Sequence, residues 1–296
     1  MERDAAQSWL CTGRSGKRGA SCFYSASAIQ CALMVQGVYH LTLRGAQGFL
    51  QSVFGLMGLP LPVPNYTTLC RRRKTLEVNL TASASASASA SVSASASGGL
   101  HLVVDGTGLK VYGEGEWKVR KHGWCKRRKW LSVQLGINRE SGEVAAVVSS
   151  EHAWNDKSAL PVLLDQMAGE IASVTGDGAY DARSCYEVIA ARGAQAIIPP
   201  FRRARIRQEA VYASRNAAVQ RIRELEAQAQ AGRKRWKEEV GYHKRSRIEA
   251  TMMQFKTIFG DKVSARNFES QASEVRVRCA ALNRMMSLGM PISVAI

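Results

Sequence analysis

Two aspartates follow the ends of predicted β-strands, and their carboxylates are the first candidates for chemistry in this chain of 296 residues. Asp105 closes the β-branched run 100–104, and Asp177 comes two residues after the run 171–175. Carboxylates at the ends of neighbouring strands converge in space and can share a hard cation. An aspartate at a strand end is also a common turn former, so neither position is diagnostic alone. A shared cation needs a third ligand, which we expect from a helix packed against the sheet.

A helical spacing in residues 242–256 supplies that third carboxylate. Polar side chains recur there at intervals of three, four and seven residues, which predicts one shared helix face: Tyr242, Arg245, Glu249 and Lys256. On such a face Glu249 can bind a metal ion while the flanking cations hold phosphates. The alternative is an ordinary amphipathic helix with ion pairs between side chains four residues apart.

The residues around these candidates alternate between strand and helix patterns. Strands are predicted over 100–105, 130–137, 143–148, 171–175 and 195–198, and the second and third of these form a hairpin. Helices are predicted over 157–170, over 182–192 and from 211 onward. This order predicts an α/β fold, in which a mixed sheet is flanked by crossover helices.

The first 81 residues have a different, all-helical pattern. Ser25 or Ser27 can cap a first helix, residues 43–59 form a second, and Asn65 caps a short third helix after a Pro-rich turn. The third helix ends in a basic run: Arg71, Arg72, Arg73 and Lys74. We predict a small all-α, helix-turn-helix-like domain over residues 1–81 that places this run on DNA. The alternative is a plain three-helix bundle with a solvated basic end.

A repeat of Ala and Ser occupies residues 82–97 and is followed by two glycines. Its small side chains have nothing large to bury, so residues 82–99 are predicted to be a flexible linker. The linker separates the N-terminal domain from a second domain over residues 100–296.

The charge of the chain is strongly positive, with 41 Lys and Arg against 24 Asp and Glu and a formal net charge of +17. The excess is +6 in residues 1–98, zero in 99–200 and +11 in 201–296. This distribution predicts a partner rich in phosphates, either nucleic acid or an anionic membrane. The sequence has no run of about 18 apolar residues, which favours nucleic acid over a membrane. With no secretory signal and no CxxC pair among seven cysteines, we expect a cytoplasmic protein.

Further basic clusters are candidate DNA contacts. Residues 117–130 combine seven cations with three tryptophans, a composition that suits phosphates and unpaired bases. The candidates in this cluster are Lys118, Arg120, Lys121, Arg127, Arg128 and Lys129. The alternative is a solvated hairpin. Residues 201–207 and 233–237, in a predicted helical insertion around 201–240, are expected to neutralise phosphates without reading bases.

Three motifs in a fixed order resemble a known family. They are VVDGTGLKVYGEGEWKVRKHG at 103–123, GDGAYD at 176–181, and the spacing from Tyr242 to Lys256. Together they resemble the bacterial insertion-sequence transposases of the DDE type, in the branch named family five, over about residues 100–290 and more loosely 24–76. The resemblance implies a ribonuclease H-like catalytic domain.

The resemblance also implies roles for the candidate residues. Asp105, Asp177 and Glu249 correspond to the catalytic, metal-binding triad, and their companions on DNA phosphates are Tyr242, Arg245 and Lys256. Asp156 and Asp181 are the closest rivals for a place in the triad.

The function that follows from the resemblance is metal-dependent DNA transposition. The triad is expected to hold Mg²⁺, with Mn²⁺ as a substitute, for hydrolysis at the element's ends and transfer of the freed 3′-hydroxyl to target DNA. The expected partner is double-stranded DNA, both terminal inverted repeats and target, on which the chain assembles as a homodimer at the bacterial nucleoid. Two alternatives stay open: a catalytically degenerate DNA-binding repressor of the same element, and a nuclease of the same fold without strand transfer.

Overall fold

The structure, a computed structural model, describes residues 7–11, 22–78, 80, 99–111, 130–151, 156–228 and 231–289. Contacts divide the chain into two compact units. The first unit consists of residues 1–80, 111–128 and 257–296, and the second of residues 81–110 and 129–256. In the part of the chain that the structure describes, no helix has both the length and the apolar character needed to cross a membrane.

The secondary structure follows the order predicted from the sequence. The helices are α1 (Ala26–Val38), α2 (Leu43–Leu56), α3 (Tyr66–Arg72), α4 (Asp156–Asp165), α5 (Arg183–Ala191), α6 (Ala213–Ala227), α7 (Gly232–Glu239), α8 (Ser246–Phe259) and α9 (Phe268–Ser287). The strands are β1 (Leu100–Val111), β2 (Trp130–Asn138), β3 (Val144–Ser150), β4 (Ile171–Thr175), β5 (Gln195–Ile197) and β6 (Lys262–Val263). Short 3₁₀ turns cover Gly178–Tyr180 and Tyr242–Arg245.

The second unit is built on a mixed sheet with the strand order β3-β2-β1-β4-β5. The pairs β1–β2 and β2–β3 are antiparallel, whereas β1–β4 and β4–β5 are parallel. Leu102, Val103 and Val104 are all buried, so the central strand β1 is covered on both faces. On one face, side chains of β1 and β4 share an apolar core with α4 and α5, which includes Leu160, Leu163, Tyr186 and Ile189. The predicted mixed α/β sheet with flanking helices is confirmed.

The prediction that Asp105 closes the first strand is wrong, because β1 continues to Val111. Its second half pairs with β2, with Gly106 opposite Gln134 and Gly108 opposite Ser132. A Cβ at Gly106 would lie 2.5 Å from the Gln134 amide nitrogen. The glycine therefore makes room for a side chain of the neighbouring strand rather than forming a turn.

The first unit has a helical core to which both ends of the described chain contribute. Side-chain oxygens of Ser25, Thr42 and Asn65 accept backbone N–H groups at the starts of α1, α2 and α3, as N-caps do. The core includes Ile29, Leu33, Phe54 and Leu69 from these helices, and also Val277 from α9. The sequence had not indicated that α9 packs with the N-terminal helices. The proposed domain boundaries at residues 81 and 99 stay a prediction, and residues 82–97 lie outside the described part of the chain.

Candidate active site

The two candidate aspartates lie at the same edge of the sheet. The parallel pairing of β1 with β4 ends at Val103 opposite Thr175, and Asp105 and Asp177 each follow two residues later. The Asp177 carboxylate accepts the backbone N–H of Ala179 at 2.8 Å and so caps the 3₁₀ turn that follows β4. The backbone N–H of Gly106 donates to Asp105 Oδ1 at 2.9 Å. Convergence of these two carboxylates, expected from the strand order, is therefore a property of the sheet register.

The guanidinium of Arg245 joins Asp105 to Glu249. Its Nη2 donates to Asp105 Oδ2 at 2.7 Å and its Nη1 donates to Glu249 Oε1 at 2.8 Å. The side chains of Arg245 and Asp105 are 19% and 20% exposed, whereas that of Glu249 is 60% exposed. Two carboxylates 144 residues apart in sequence thus share one cation at the sheet edge.

Charges at this edge shift the protonation equilibria of its neighbours. Burial acts to lower the pKa of Arg245, but the carboxylates of Asp105, Glu249 and Asp177, together with the Tyr242 phenol, outweigh burial and raise that pKa. Burial raises the pKa of the Tyr242 phenol, and the same three carboxylates raise it further against the opposing effect of Arg245. The Asp177 carboxylate is thus electrostatically coupled to both residues, although neither binds it directly in the described contacts.

The prediction that Tyr242, Arg245, Glu249 and Lys256 share one helix face is wrong for the first two residues. Tyr242 and Arg245 lie in a 3₁₀ turn that begins after Gly241, which has a φ of 65°, and that runs directly into α8. Glu249 lies in the first turn of α8 and Lys256 in its last turn. Lys256 is therefore about 10 Å along the helix axis from Glu249. The structure brings Arg245 to the carboxylates and leaves Lys256 two turns away.

Helix α8 is held on the sheet by contacts to the turn between β2 and β3. Thr251 Oγ1 donates to the carbonyl of Gly142 at 3.2 Å, and Arg247 Nη2 donates to the carbonyl of Ser141 at 3.0 Å. Lys244 and Glu140 form an ion pair at 3.4 Å across the same boundary. Sequence reasoning missed these positioning residues, since their partners are more than 100 residues away in the chain.

Asp181, a rival for the triad, is engaged in a buried network. Its Oδ1 accepts from Arg215 Nε at 2.8 Å and from the Tyr186 hydroxyl at 3.0 Å, and its Oδ2 accepts the backbone N–H of Phe201 at 2.9 Å. The side chains of Asp181 and Arg215 are 1% and 6% exposed. A carboxylate with this surrounding is a structural anchor for the chain after β5, so the geometry favours Asp177 as the chemical group of the GDGAYD motif.

A buried pair next to the two candidate aspartates was also missed. The Tyr180 hydroxyl donates to Gln134 Oε1 at 3.4 Å, and both side chains are buried. Gly106 follows Asp105 and makes room for Gln134, while Gly176 precedes Asp177 and makes room for Tyr180, whose ring a Cβ would approach within 2.8 Å. The glycines beside the aspartates are visible in the sequence, but the pairing of Tyr180 with Gln134 is not, because it joins residues 46 positions apart.

The other sequence candidates have mixed outcomes. Arg72 donates to the carbonyl of Tyr24 at 2.9 Å, and Arg73 lies 3.8 Å from the buried Glu274. Both are therefore held by the protein, whereas Arg71 is exposed. The remaining basic candidates lie outside the described residues: Lys118, Arg120, Lys121, Arg127, Arg128 and Lys129. The side chain of Asp156 lies outside them as well.

The chemistry of the donor set fits a divalent cation. In this arrangement, no three Asp, Glu, His or Cys side chains of the described residues are grouped closely enough to hold a metal ion. The place between Asp105 and Glu249 is taken by the Arg245 guanidinium. All three candidate ligands offer carboxylate oxygens, which Mg²⁺ prefers, and two of them already share one cation. Asp105, Asp177 and Glu249 are thus the residues that fit such an ion.

Two family models match the chain, and both have the same description. One, described as a transposase DDE domain, matches residues 96–284, which is 189 of the 296 residues. A second transposase DDE domain matches residues 1–114. The longer match includes both aspartates at the sheet edge and the whole segment from Tyr242 to Lys256.

Proposed function

This chain belongs to the transposase DDE-domain family, and we propose that it is the enzyme that moves an insertion sequence by cutting and joining DNA. It binds the terminal inverted repeats of the element, cleaves a strand at the element's end and joins that end to target DNA. The second unit supplies the catalytic domain, and its strand order β3-β2-β1-β4-β5 supports the ribonuclease H-like assignment. As its substrate is DNA, we place the protein at the nucleoid of a bacterial cell, assembled as a homodimer on double-stranded DNA.

One observation supports this function most: the Arg245 guanidinium joins Asp105 of β1 to Glu249 of α8. Asp177 follows β4 at the same edge, and its charge raises the pKa of Arg245. Two carboxylates on one guanidinium repel each other unless a positive charge stays between them, and Asp177 adds a third negative charge at the same edge of the sheet. A surface ion pair needs only two partners, so the third carboxylate is what indicates a site for cations.

Asp105, Asp177 and Glu249 would hold Mg²⁺, or Mn²⁺ in its place, and the chemistry supplied there is stabilisation of the attacking and leaving oxygens at phosphorus. The protein's part is to hold the three carboxylates at one edge of the sheet. Arg245 neutralises Asp105 and Glu249 in the free chain, and the register of β1 with β4 sets the spacing of the two aspartates.

The cationic residues around the triad are proposed to position the DNA phosphates. The Nε atom of Arg245 is buried and has no hydrogen-bond acceptor among the described residues. This donor is shielded from solvent, so a contact of Arg245 with a DNA phosphate would use the Nη groups that face Asp105 and Glu249. Tyr242 lies under the Lys237 ammonium, 4.9 Å from ring centre to Nζ, and Lys256 lies in the last turn of α8.

The proposed reaction exchanges phosphodiester bonds in two steps. In the first, a water oxygen attacks phosphorus at the element's end, the P–O3′ bond breaks, and a 3′-hydroxyl is released after protonation. In the second, this hydroxyl attacks a phosphodiester of the target, and a target 3′-oxygen leaves. In the second step one phosphodiester bond breaks as another forms, so no nucleotide cofactor is needed to supply energy.

Neutral variants of the three carboxylates test the assignment. Asp105→Asn, Asp177→Asn and Glu249→Gln should each lower Mg²⁺-dependent cleavage of a repeat-end duplex more than about 100-fold, since each loses a candidate metal ligand. DNA affinity should stay near that of the unmodified protein, because it depends on many phosphate contacts. Asp165→Asn, at the exposed end of α4, is the matched control and should cleave normally.

The same assay separates the alternatives. Full cleavage by any of the three variants would remove that residue from the triad. If the unmodified protein binds the repeats with Mg²⁺ or Mn²⁺ and never cuts them, the repressor is the correct function. If it cuts the repeats and never joins the ends to a target plasmid, the correct function is that of a nuclease.

A further inference from the structure

An open groove of about 630 Å³ lies in the second unit, in the region where the sequence predicted a helical insertion. Its walls are the loop 200–205 after β5, the side of α6 from Val219 to Glu226, and residues 231–234 at the start of α7. Helices α6 and α7 pack through Ile222, Leu225 and Trp236. A Cβ at Gly232 would lie 2.4 Å from the carbonyl oxygen of Ile222, so the glycine permits this close approach. We call this feature the insertion groove.

The insertion groove has a strong positive charge. One carboxylate, Glu226, lines it together with six cationic side chains: Arg202, Arg203, Arg205, Arg223, Arg233 and Lys234. All of the cations except the half-buried Arg233 belong to exposed residues. Elsewhere in the same unit, exposed arginines such as Arg183 and Arg235 are neutralised by glutamates within 3.3 Å. Within the described residues, no acidic side chain lies within ion-pair distance of Arg202, Arg203, Arg205 or Lys234.

The loop that carries these arginines is held in place by hydrogen bonds to its backbone. Arg233 Nη1 donates to the carbonyl of Pro200 at 2.6 Å, and Arg215 Nη1 donates to the carbonyl of Arg205 at 2.8 Å. Near the start of this loop, the backbone N–H of Phe201 donates to the Asp181 carboxylate. Asp181 itself lies four residues after Asp177 in the sequence. Cations on a fixed loop lose less conformational freedom on binding than cations on a free one, so the arrangement suits a charged ligand.

We propose that the insertion groove binds the phosphodiester backbone of DNA, independently of base sequence and apart from the carboxylate site. Guanidinium groups match phosphate oxygens with paired N–H donors, and five of the six cations are arginines. An acidic polypeptide also offers anions, but the unit that contains the groove is the one that holds the proposed DNA-cleaving carboxylates. The identification of the ligand as DNA rests on the proposed function.

Two double substitutions that each remove two positive charges test the proposal in the full chain. Arg202→Gln with Arg203→Gln removes two unpaired cations, and Arg183→Gln with Arg235→Gln is the control that removes two ion-paired ones. Binding of a random 30-base-pair duplex is titrated in EDTA at 50 and 200 mM salt. Two lost phosphate contacts reduce the slope of log affinity against log salt by about 1.8. The affinity ratio of unmodified to groove variant therefore falls about 12-fold between the two salt concentrations.

The expected result is this loss of slope for the groove variant, an unchanged slope for the control, and recovery in Arg202→Lys with Arg203→Lys, which restores the charge. A single strand of the same length, titrated in parallel, shows whether one strand or a duplex supplies the phosphates. A groove variant with the slope of the unmodified protein overturns the proposal. So does unchanged DNA affinity combined with lost affinity for poly-glutamate, which assigns the groove to an acidic partner.

The test does not depend on catalysis, so the two proposals fail separately. If the unmodified protein never cleaves DNA and the groove variant has a reduced slope of log affinity against log salt, the groove proposal is supported and the proposed reaction is refuted. If the unmodified protein cleaves and the groove variant binds as the control does, the groove alone falls.

Discussion

Replacing Asp181 should destabilise the protein far more than replacing Asp177, although the two lie in one six-residue motif. Asp181→Ala leaves the Arg215 guanidinium buried without its carboxylate, and it also removes the acceptor of the Tyr186 hydroxyl and of the Phe201 N–H. Breaking a buried ion pair from one side costs about 3–5 kcal/mol. For a unit of this size each kcal/mol lowers the melting temperature by about 2–4 °C, so we expect a loss of about 6–20 °C.

Asp177→Ala removes only the cap of a three-residue 3₁₀ turn, through the bond to the Ala179 N–H. The loss of one cap costs about 1 kcal/mol, or about 2–4 °C. Thermal unfolding followed by circular dichroism measures both variants. The double variant Asp181→Leu with Arg215→Met removes both charges and should recover most of the stability lost by Asp181→Ala. If Asp181→Ala melts with the unmodified protein, or Asp177→Ala melts as early as Asp181→Ala, the division of roles within the motif is refuted.

Three further results are expected. Arg245→Gln removes the guanidinium that pairs with Asp105, so it should lower the free energy of unfolding by about 1.5–3 kcal/mol in metal-free buffer. Added Mg²⁺ should then raise the melting temperature of the variant more than that of the unmodified protein. Equal shifts would show that Arg245 does not compete with the metal ion for the carboxylates. Burial and then Arg139 lower the pKa of His101, so its stabilising contribution is present above the unfolded-state pKa of about 6.5 and is lost as the pH falls from there through the lower folded-state pKa. His101→Gln should therefore flatten the dependence of the melting temperature on pH between about pH 8 and 5, and an unchanged pH profile contradicts this. A fragment of residues 1–81 lacks α9 and therefore Val277, so its thermal unfolding should be broad and occur at low temperature unless residues 257–289 are supplied. A sharp unfolding transition of the fragment alone would contradict the packing of α9 in the N-terminal core.

Local patterns in the sequence predicted most of the secondary structure. The N-caps at Ser25 and Asn65 and the strand Ile171–Thr175 are read from side chains a few residues apart, and the structure has them where they were predicted. The end of β1 was misjudged because Asp105 was taken to close the strand, which left Gly106 and Gly108 outside it. Their purpose depends on Gln134 and Trp130, which come from the neighbouring strand and are not visible in the local pattern.

The sequence suggested candidate ligands for the site but not the residues that support them. Asp105, Asp177 and Glu249 were proposed from predicted strand ends and helical spacing, although β1 continues past Asp105, and their role as ligands stays a prediction. The anchoring of Thr251 on Gly142 and the ion pair between Asp181 and Arg215 join residues 109 and 34 positions apart. Such pairs are selected by the folded surfaces that meet, so a single sequence carries no local signal for them.

Because α9 contributes to the helical core, this core can be completed only late in translation. Leu76 and the N-terminal helices emerge from the ribosome well before Val277, which completes their core. At about 5–20 residues per second, the 201 residues from Glu77 to Val277 take about 10–40 s to translate. For that interval the nascent N-terminal helices have an uncovered apolar face. A chain that terminates early therefore lacks a finished N-terminal unit, and a working copy of that unit exists only once α9 has been made.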